Sequence, residues 1–337
     1  MNEFSFIEYL KKTIRVPNRI PVGIGDDAAV LNIEKGKQLV VSTDAIVENV
    51  DFILKTSGRC LSLPAKRSNL RDRHAPKGLA MTALSPEKIG RKALAINLSD
   101  MAAMGAKPTA FVITIGKPSY ITSRWLARFY KGLLKLAKQY RVSCVGGDFS
   151  RSKEFFANVT ILGEVSSHHV VTRSGAMVGD WIAVTGTLGG SLLHHHYDFT
   201  PRISEGLFLA QHFTPTAMID ISDGLCQDLS HILKASGVGA RLDLERIPVS
   251  ADSKKMSHGN AKKALTRALS DGEDFELLMT VPPWQKMMLE KSWKKKFPST
   301  PLTWIGKIEG KKPLIHWHFN QQPVPGPQLS QKGYAHF

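Results

Sequence analysis

The sequence predicts a mixed α/β fold of the α+β class, built in two halves. Three observations predict it. The chain has 337 residues, which suits two domains better than one. Short apolar runs of strand length alternate with segments of helical period, as in layered α/β architectures. The pattern also changes near residues 150–170, which places one unit at 1–150 and a second at 151–337.

Composition narrows the function classes. Hydrophobic residues make up 42% and charged residues 22%, as in globular chains, and no apolar run is long enough to cross a bilayer. Residues 1–8 carry acids and no apolar core, so no secretory signal is expected. Cys60, Cys144 and Cys226 lie far apart without CxxC spacing. They are expected to be thiols of a reducing cytoplasm, not a disulfide or zinc framework. A formal net charge of +16 attracts polyanions; nucleic acid and phosphorylated small molecules both qualify.

Phe6, Ile7 and Leu10 suggest a short helical start, followed by a basic loop with Pro17 and Pro21. Gly23-Ile24-Gly25-Asp26-Asp27-Ala28 comes next. Its glycines permit a tight turn, and its carboxylates are the hard oxygen ligands that Mg²⁺ takes together with phosphates. Residues 38–42 read as a buried strand, with Thr43 and Asp44 at its exit. Residues 55–80 hold Lys55, Arg59, Lys66, Arg67, Arg71, Arg73 and Lys77, with Pro64 and Pro76. No period persists there, which predicts a basic loop.

Ser85, Pro86 and Glu87 predict a helix start, and Gly105 and Pro108 its end near Met104. Ile89, Ala93, Ile96 and Asp100 recur at helical spacing, so Asp100 shares the inward face. A carboxylate there is unusual unless it is paired or binds metal. Residues 110–116 read as a strand. Thr122 or Ser123 caps a helix whose stripe of Leu126, Phe129, Leu133 and Leu136 is core. Residues 142–145 form a strand running into Gly146-Gly147-Asp148, and 155–165 another.

In the second half, strand 181–185 precedes Gly186, Gly189 and Gly190, a phosphate-cradle pattern without the Walker lysine. His194-His195-His196 is expected in an exposed loop, since adjacent residues cannot all face one ion. After strand 217–221, Ser222-Asp223-Gly224 opens a helix and reads as ordinary capping, whereas Asp220 lies within the apolar strand. A helix over 261–269 leads through Ser270-Asp271-Gly272-Glu273-Asp274 into strand 275–281. Residues 291–296 read as a solvated helix face and 303–308 as a late strand.

Taken together and in order, these motifs resemble the thiamine-monophosphate kinase family, within the aminoimidazole-ribonucleotide synthetase superfamily. They are Gly23 to Ala28, Ser42-Thr43-Asp44, Lys92 to Ala106, Gly146-Gly147-Asp148, Thr172-Arg173-Ser174-Gly175, Asp220 to Gly224 and Ser270 to Asp274. The resemblance spans nearly the whole chain. It implies a two-domain PurM-like fold, with an N-terminal domain that pairs strands with a second subunit in a homodimer and a C-terminal α/β domain. It implies a cytoplasmic kinase that phosphorylates thiamine monophosphate with ATP and several Mg²⁺ ions, partnered by neither membrane nor nucleic acid.

By the same resemblance, Asp27, Ser42, Thr43, Asp44, Asp100, Asp148, Asp220 and Asp223 hold metal, with Asp44, Asp100 and Asp148 central to catalysis. Gly147, Asp148, Arg173 and Ser222 contact ATP, while Glu273 and Tyr334 face the thiamine substrate. Two departures stand out. Asp51 replaces the family's substrate-side His, and residues 55–80 exceed the family's usual connection. Two alternatives remain open at this point. One is another ATP-using enzyme of the superfamily, such as a selenophosphate synthetase, although no Cys precedes Cys60. The other is a retired kinase fold that binds polyanions, although every metal-position Asp is retained.

Overall fold

In the computed structural model, residues 20–54 and 84–326 are described, together with residues 7, 9, 11 and 13. Phe6, Leu10, Cys60, Tyr334 and the basic segment 55–80 lie outside the described residues. The element that organises the rest is α1 (Pro86–Ala103). Ser85 accepts from the Lys88 N–H as its N-cap, Pro86 enters the first turn, and Glu87 meets the positive end of the dipole. Gly105, at φ 64°, follows its end. Apolar and small residues lie all round α1, so it is a buried helix. Ile89, Leu94, Leu98 and Met101 are fully buried.

One side of α1 faces a five-stranded sheet. Its strands are β1 (Ala29–Glu34), β2 (Lys37–Val47), β3 (Lys107–Lys117), β4 (Ser143–Arg151) and β5 (Phe156–Ser166), in the order β1-β2-β5-β3-β4. Only β3 and β4 pair in parallel. α2 (Ser123–Tyr140) connects them, capped by Thr122 and burying Phe129, Leu133 and Leu136 as its stripe predicts. Strand β5 lies at the sheet's centre, so the first sheet runs past the break placed at residue 150. β2 and β4 also continue beyond the ends read from sequence. Thr43, Asp44 and the Gly146-Gly147-Asp148 motif therefore sit within strands, not at their exits.

The second half is a seven-stranded sheet, β12-β11-β8-β10-β6-β9-β7. Its strands are β6 (Trp181–Thr185), β7 (Ala217–Asp220), β8 (Gly239–Asp243), β9 (Leu277–Val281), β10 (Leu302–Glu309), β11 (Ile315–Phe319) and β12 (Gln322–Val324). The helices are α3 (His195–Asp198), α4 (Ile203–His212), α5 (Leu225–Ser236), α6 (Ala251–Met256), α7 (Ala261–Ser270) and α8 (Lys286–Lys296). One apolar cluster runs from the first sheet through α1 to Phe199, Leu209 and Met218, so the halves share a core. Among the described residues, no helix is long and apolar enough to cross a membrane. Cys144 and Cys226 are free thiols.

The α1–α2 contact depends on two glycines. A Cβ on Gly90 would lie 2.0 Å from the Phe129 carbonyl oxygen, and one on Gly132 would lie 1.9 Å from that of Glu87. Both neighbours are backbone and cannot swing aside. Gly132→Ala is therefore expected to lower stability by about 1–3 kcal/mol, the usual cost of overpacking. Denaturant unfolding of the two proteins measures this directly.

Candidate active site

Four segments bring carboxylates to the junction of the two halves. The turn before β1 supplies Asp26 and Asp27, β2 supplies Ser42 and Asp44, α1 supplies Ser99 and Asp100, and the end of β7 supplies Asp220. One oxygen each of Asp27, Asp100 and Asp220 lie within 4.8 Å of one another. Hydroxyls steer two of these groups. Ser42 Oγ donates to Asp100 Oδ2, and Ser99 Oγ donates to Asp220 Oδ2 at 2.6 Å. The inward Asp100 expected from helical spacing is thus paired with β2. Asp44 is exposed, on the same face of its strand as Ser42.

The electrostatics of this cluster are unfavourable to its own charges. Burial, then the charges of Asp220, Asp44 and Asp27, push Asp100 well above the usual carboxylate range. Burial and the Asp27 charge push Asp220 up to about 7, against the pull of Ser99 and Arg173. Burial and Asp27 likewise push Asp26 up to about 6. Arg173 offsets part of this. Its Nη2 and Nε donate to Asp27 Oδ1 at 2.5 and 3.2 Å, and its backbone N–H donates to Asp26 at 3.1 Å. Asp27 Oδ2 is buried without a hydrogen-bond partner. Convergent carboxylates, raised by burial and for Asp100 and Asp220 also by mutual repulsion, with one buried oxygen unsatisfied, form the hard oxygen donor set that suits Mg²⁺.

The loop after β7 departs from the capping expected of it. Neither Ser222 nor Asp223 caps α5. Instead Asp228, 1% exposed, reaches back from inside the helix and accepts the N–H groups of Asp223 and Gly224 at 3.1 and 3.0 Å. Gly224, at φ 114°, makes the turn that allows this. Asp223 accepts from Gln227 Nε2 at 3.0 Å, and its ligand atoms lie near those of Asp228 and His231. Burial, then the Arg173 and Lys234 charges, push His231 down to about 4.

The glycine turn after β6 is not a phosphate cradle. The Gly189 N–H donates to Asp274 at 2.9 Å and the Gly190 N–H to Asp271 at 3.1 Å, so the protein's own acids take those donors. The histidines also differ from expectation. His194 is exposed, but His195 and His196 are half-buried, because α3 turns them inward. His195 Nε2 contacts the Asp274 carbonyl oxygen at 2.8 Å, and His196 Nδ1 lies 3.3 Å from Glu273 Oε2. They share no ion.

The remaining predicted residues fall as follows. Thr43 lies on the opposite face of β2 from Ser42, and its hydroxyl engages Asn158, Thr160 and the Val159 carbonyl. Any metal contact from Thr43 would have to come from its backbone. Asp148 lies on exposed strand β4, accepting from Ser150 Oγ at 2.9 Å. Among the described residues it does not join the three converging carboxylates. Gly147 abuts β3, where a Cβ would lie 2.0 Å from the Ile113 carbonyl oxygen. Asp51 accepts the Val47 N–H at 2.7 Å and returns its own N–H to the Val47 carbonyl, which closes the turn after β2. Ser222 accepts the Glu273 N–H at 2.7 Å through its carbonyl.

Three residues here had no role assigned from sequence: Ser99, Asp228 and Lys92. Two carried a usable signal. Lys92 and Ser99 continue the inward spacing of Ile89, Ile96 and Asp100. Asp228 had none, because its partners lie in the preceding loop.

Residues 25–165 match the family model described as AIR synthase related protein, N-terminal domain. A thiamine-monophosphate kinase of Rhodopirellula baltica is 35% identical, over 93% of this chain and 91% of its own. One of Salmonella typhimurium is 33% identical, over 99% and 98%. A solved structure described as AaThiL complexed with AMPPCP and TMP superposes with a TM-score of 0.76 at 28% identity, covering 100% of this chain and 97% of that one.

Proposed function

The chain belongs to the thiamine-monophosphate kinase family, and on that premise we propose how its carboxylate cleft works. The protein is a phosphotransferase that converts thiamine monophosphate to thiamine diphosphate with ATP. The observation that carries the reading of the site is the convergence of Asp27, Asp100 and Asp220 within 4.8 Å. Such a cluster has no structural value of its own, since burial and repulsion raise its carboxylates. It gains one where polyanionic substrates must be brought together.

A phosphate oxygen of thiamine monophosphate attacks the γ-phosphorus of ATP. The bond to the β–γ bridging oxygen breaks, leaving ADP and thiamine diphosphate. The attacking phosphate has a second pKa of about 6, so it is largely dianionic at neutral pH and needs no general base. What opposes the reaction is charge. Two unit charges ~4 Å apart repel by about 4 kcal/mol at an effective dielectric near 20.

Asp27, Ser42, Asp44, Asp100, Asp148, Asp220 and Asp223 would hold Mg²⁺, with Thr43 contributing only through its backbone. Bound Mg²⁺ neutralises phosphate charge and aligns donor with acceptor. Arg173 and Ser222, with Gly147 and Asp148 of β4, contact ATP. Glu273 faces the acceptor, and Asp51, in the turn after β2, borders it. Ser42 and Ser99 hold Asp100 and Asp220 in fixed orientations, which lowers the reorganisation left to the reaction.

A homodimer fits β4, an edge strand whose residues are all exposed, including Val145 and Phe149. Among the described residues its outer side has no partner strand, and such an edge invites strand pairing. We place the protein in the cytoplasm, with no nucleic-acid partner. ADP release tests the substrate assignment. It should depend on thiamine monophosphate and fall to background with unphosphorylated thiamine, which lacks the nucleophile. Equal release with both would overturn it.

A further inference from the structure

We infer that Lys92 is a positioning residue for Glu273 and, through it, for the phosphate acceptor. The inference rests on the reading of Glu273 as an acceptor-side residue. Lys92 is 1% exposed, in the middle of α1. Its Nζ donates to Glu273 Oε1 at 2.5 Å, and His196 Nδ1 approaches the other oxygen at 3.3 Å. Glu273 has φ 62°, a left-handed conformation that costs a non-glycine residue roughly 1–2 kcal/mol. Its N–H is fixed to the Ser222 carbonyl at 2.7 Å, and the Phe275 N–H to that of Ile221 at 2.7 Å. Glu273 is therefore held, on a strained backbone, against the end of β7 and the loop that follows, which carry Asp220 and Asp223.

Stability does not account for this pair. An apolar side chain of similar volume is usually at least as stabilising as a buried charge in an ion pair, and Lys92, the buried member of this one, sits among Ile89, Ala93 and Ile96. Geometry supplies another reason. The same helix carries Ser99, which donates to Asp220 at 2.6 Å. Lys92 and Ser99 are two helical turns apart, about 10 Å along the axis. One rigid helix thus makes two bridges into the second half. One bridge ends on a carboxylate of the cation cluster, the other on Glu273. α1 fixes the distance between them, and with it the approach of acceptor to ATP. A misplacement of about 1 Å can cost roughly a hundredfold in rate.

The test compares Lys92→Met, Lys92→Arg, Glu273→Gln and the Lys92→Met/Glu273→Gln pair in the full chain. KM for each substrate, kcat and melting temperature are measured. Lys92→Met should raise KM for thiamine monophosphate about tenfold or more and leave that for ATP within about twofold. Lys92→Arg, which keeps the charge, should recover part of the loss. If Lys92→Met folds poorly, the pair removes the uncompensated, half-buried carboxylate. It should then regain melting temperature without regaining acceptor KM. A Lys92→Met protein with unchanged acceptor KM, where Glu273→Gln raises it, overturns the positioning role and leaves the acceptor reading intact. Unchanged acceptor KM in Glu273→Gln removes both.

Discussion

Asp100→Asn should lower turnover about a thousandfold while the metal-free protein melts no lower than wild type. The two halves of that result have one cause. Asp100 is crowded by burial and by the charges of Asp220, Asp44 and Asp27. An amide removes the repulsion and still accepts from Ser42 Oγ, so without metal the fold loses nothing. What it loses is a charge facing a bound cation. At ~4 Å and an effective dielectric near 20 that attraction is about 4 kcal/mol for each unit of the cation's charge, and one such unit is about a thousandfold in rate. Mg²⁺ should raise the melting temperature of wild type and much less that of Asp100→Asn. Turnover near wild type, or an equal Mg²⁺ response, would remove Asp100 from the metal site.

Arg173→Gln should weaken both the fold and ATP use. Asp27 has a side chain 1% exposed, and its charged partner is Arg173 at 2.5 Å. Breaking a buried pair from one side typically costs 3–5 kcal/mol. The Asp26 contact should survive, because the Arg173 backbone N–H makes it. Mg²⁺ should restore part of the lost stability by supplying positive charge beside Asp27. It should not restore KM for ATP, since the planar guanidinium fork is gone. Denaturant unfolding with and without Mg²⁺, beside steady-state kinetics, measures both. A variant as stable as wild type in chelator would contradict the pairing.

Local chemistry made much of this legible. Ser85, Pro86 and Gly105 bracket α1 because caps act within one turn, and the stripe of α2 reports one buried face. The order of the motifs along the chain points to the family without any geometry. Strand ends were less legible. β2 and β4 run on through Thr43, Asp44, Gly146 and Gly147, polar or small residues exposed on both faces of their strands, where burial no longer enforces alternation. β11 and β12, short and half-exposed, carry too few apolar positions to register. The cluster itself could be listed but not assembled. Asp27, Asp100 and Asp220 meet only after both halves fold around α1. The same holds for Lys92 and Glu273, and for the two acids that occupy the Gly189 and Gly190 N–H groups.

A single-turnover reaction with γ-labelled ATP, Mg²⁺ and thiamine monophosphate bears most directly on direct transfer in this cleft. The products are to be separated and identified by mass. Expected is stoichiometric ADP and thiamine diphosphate, with the label in the terminal phosphate, and no product from Asp100→Asn on the same timescale. Label recovered as inorganic phosphate beside unchanged thiamine monophosphate would contradict it.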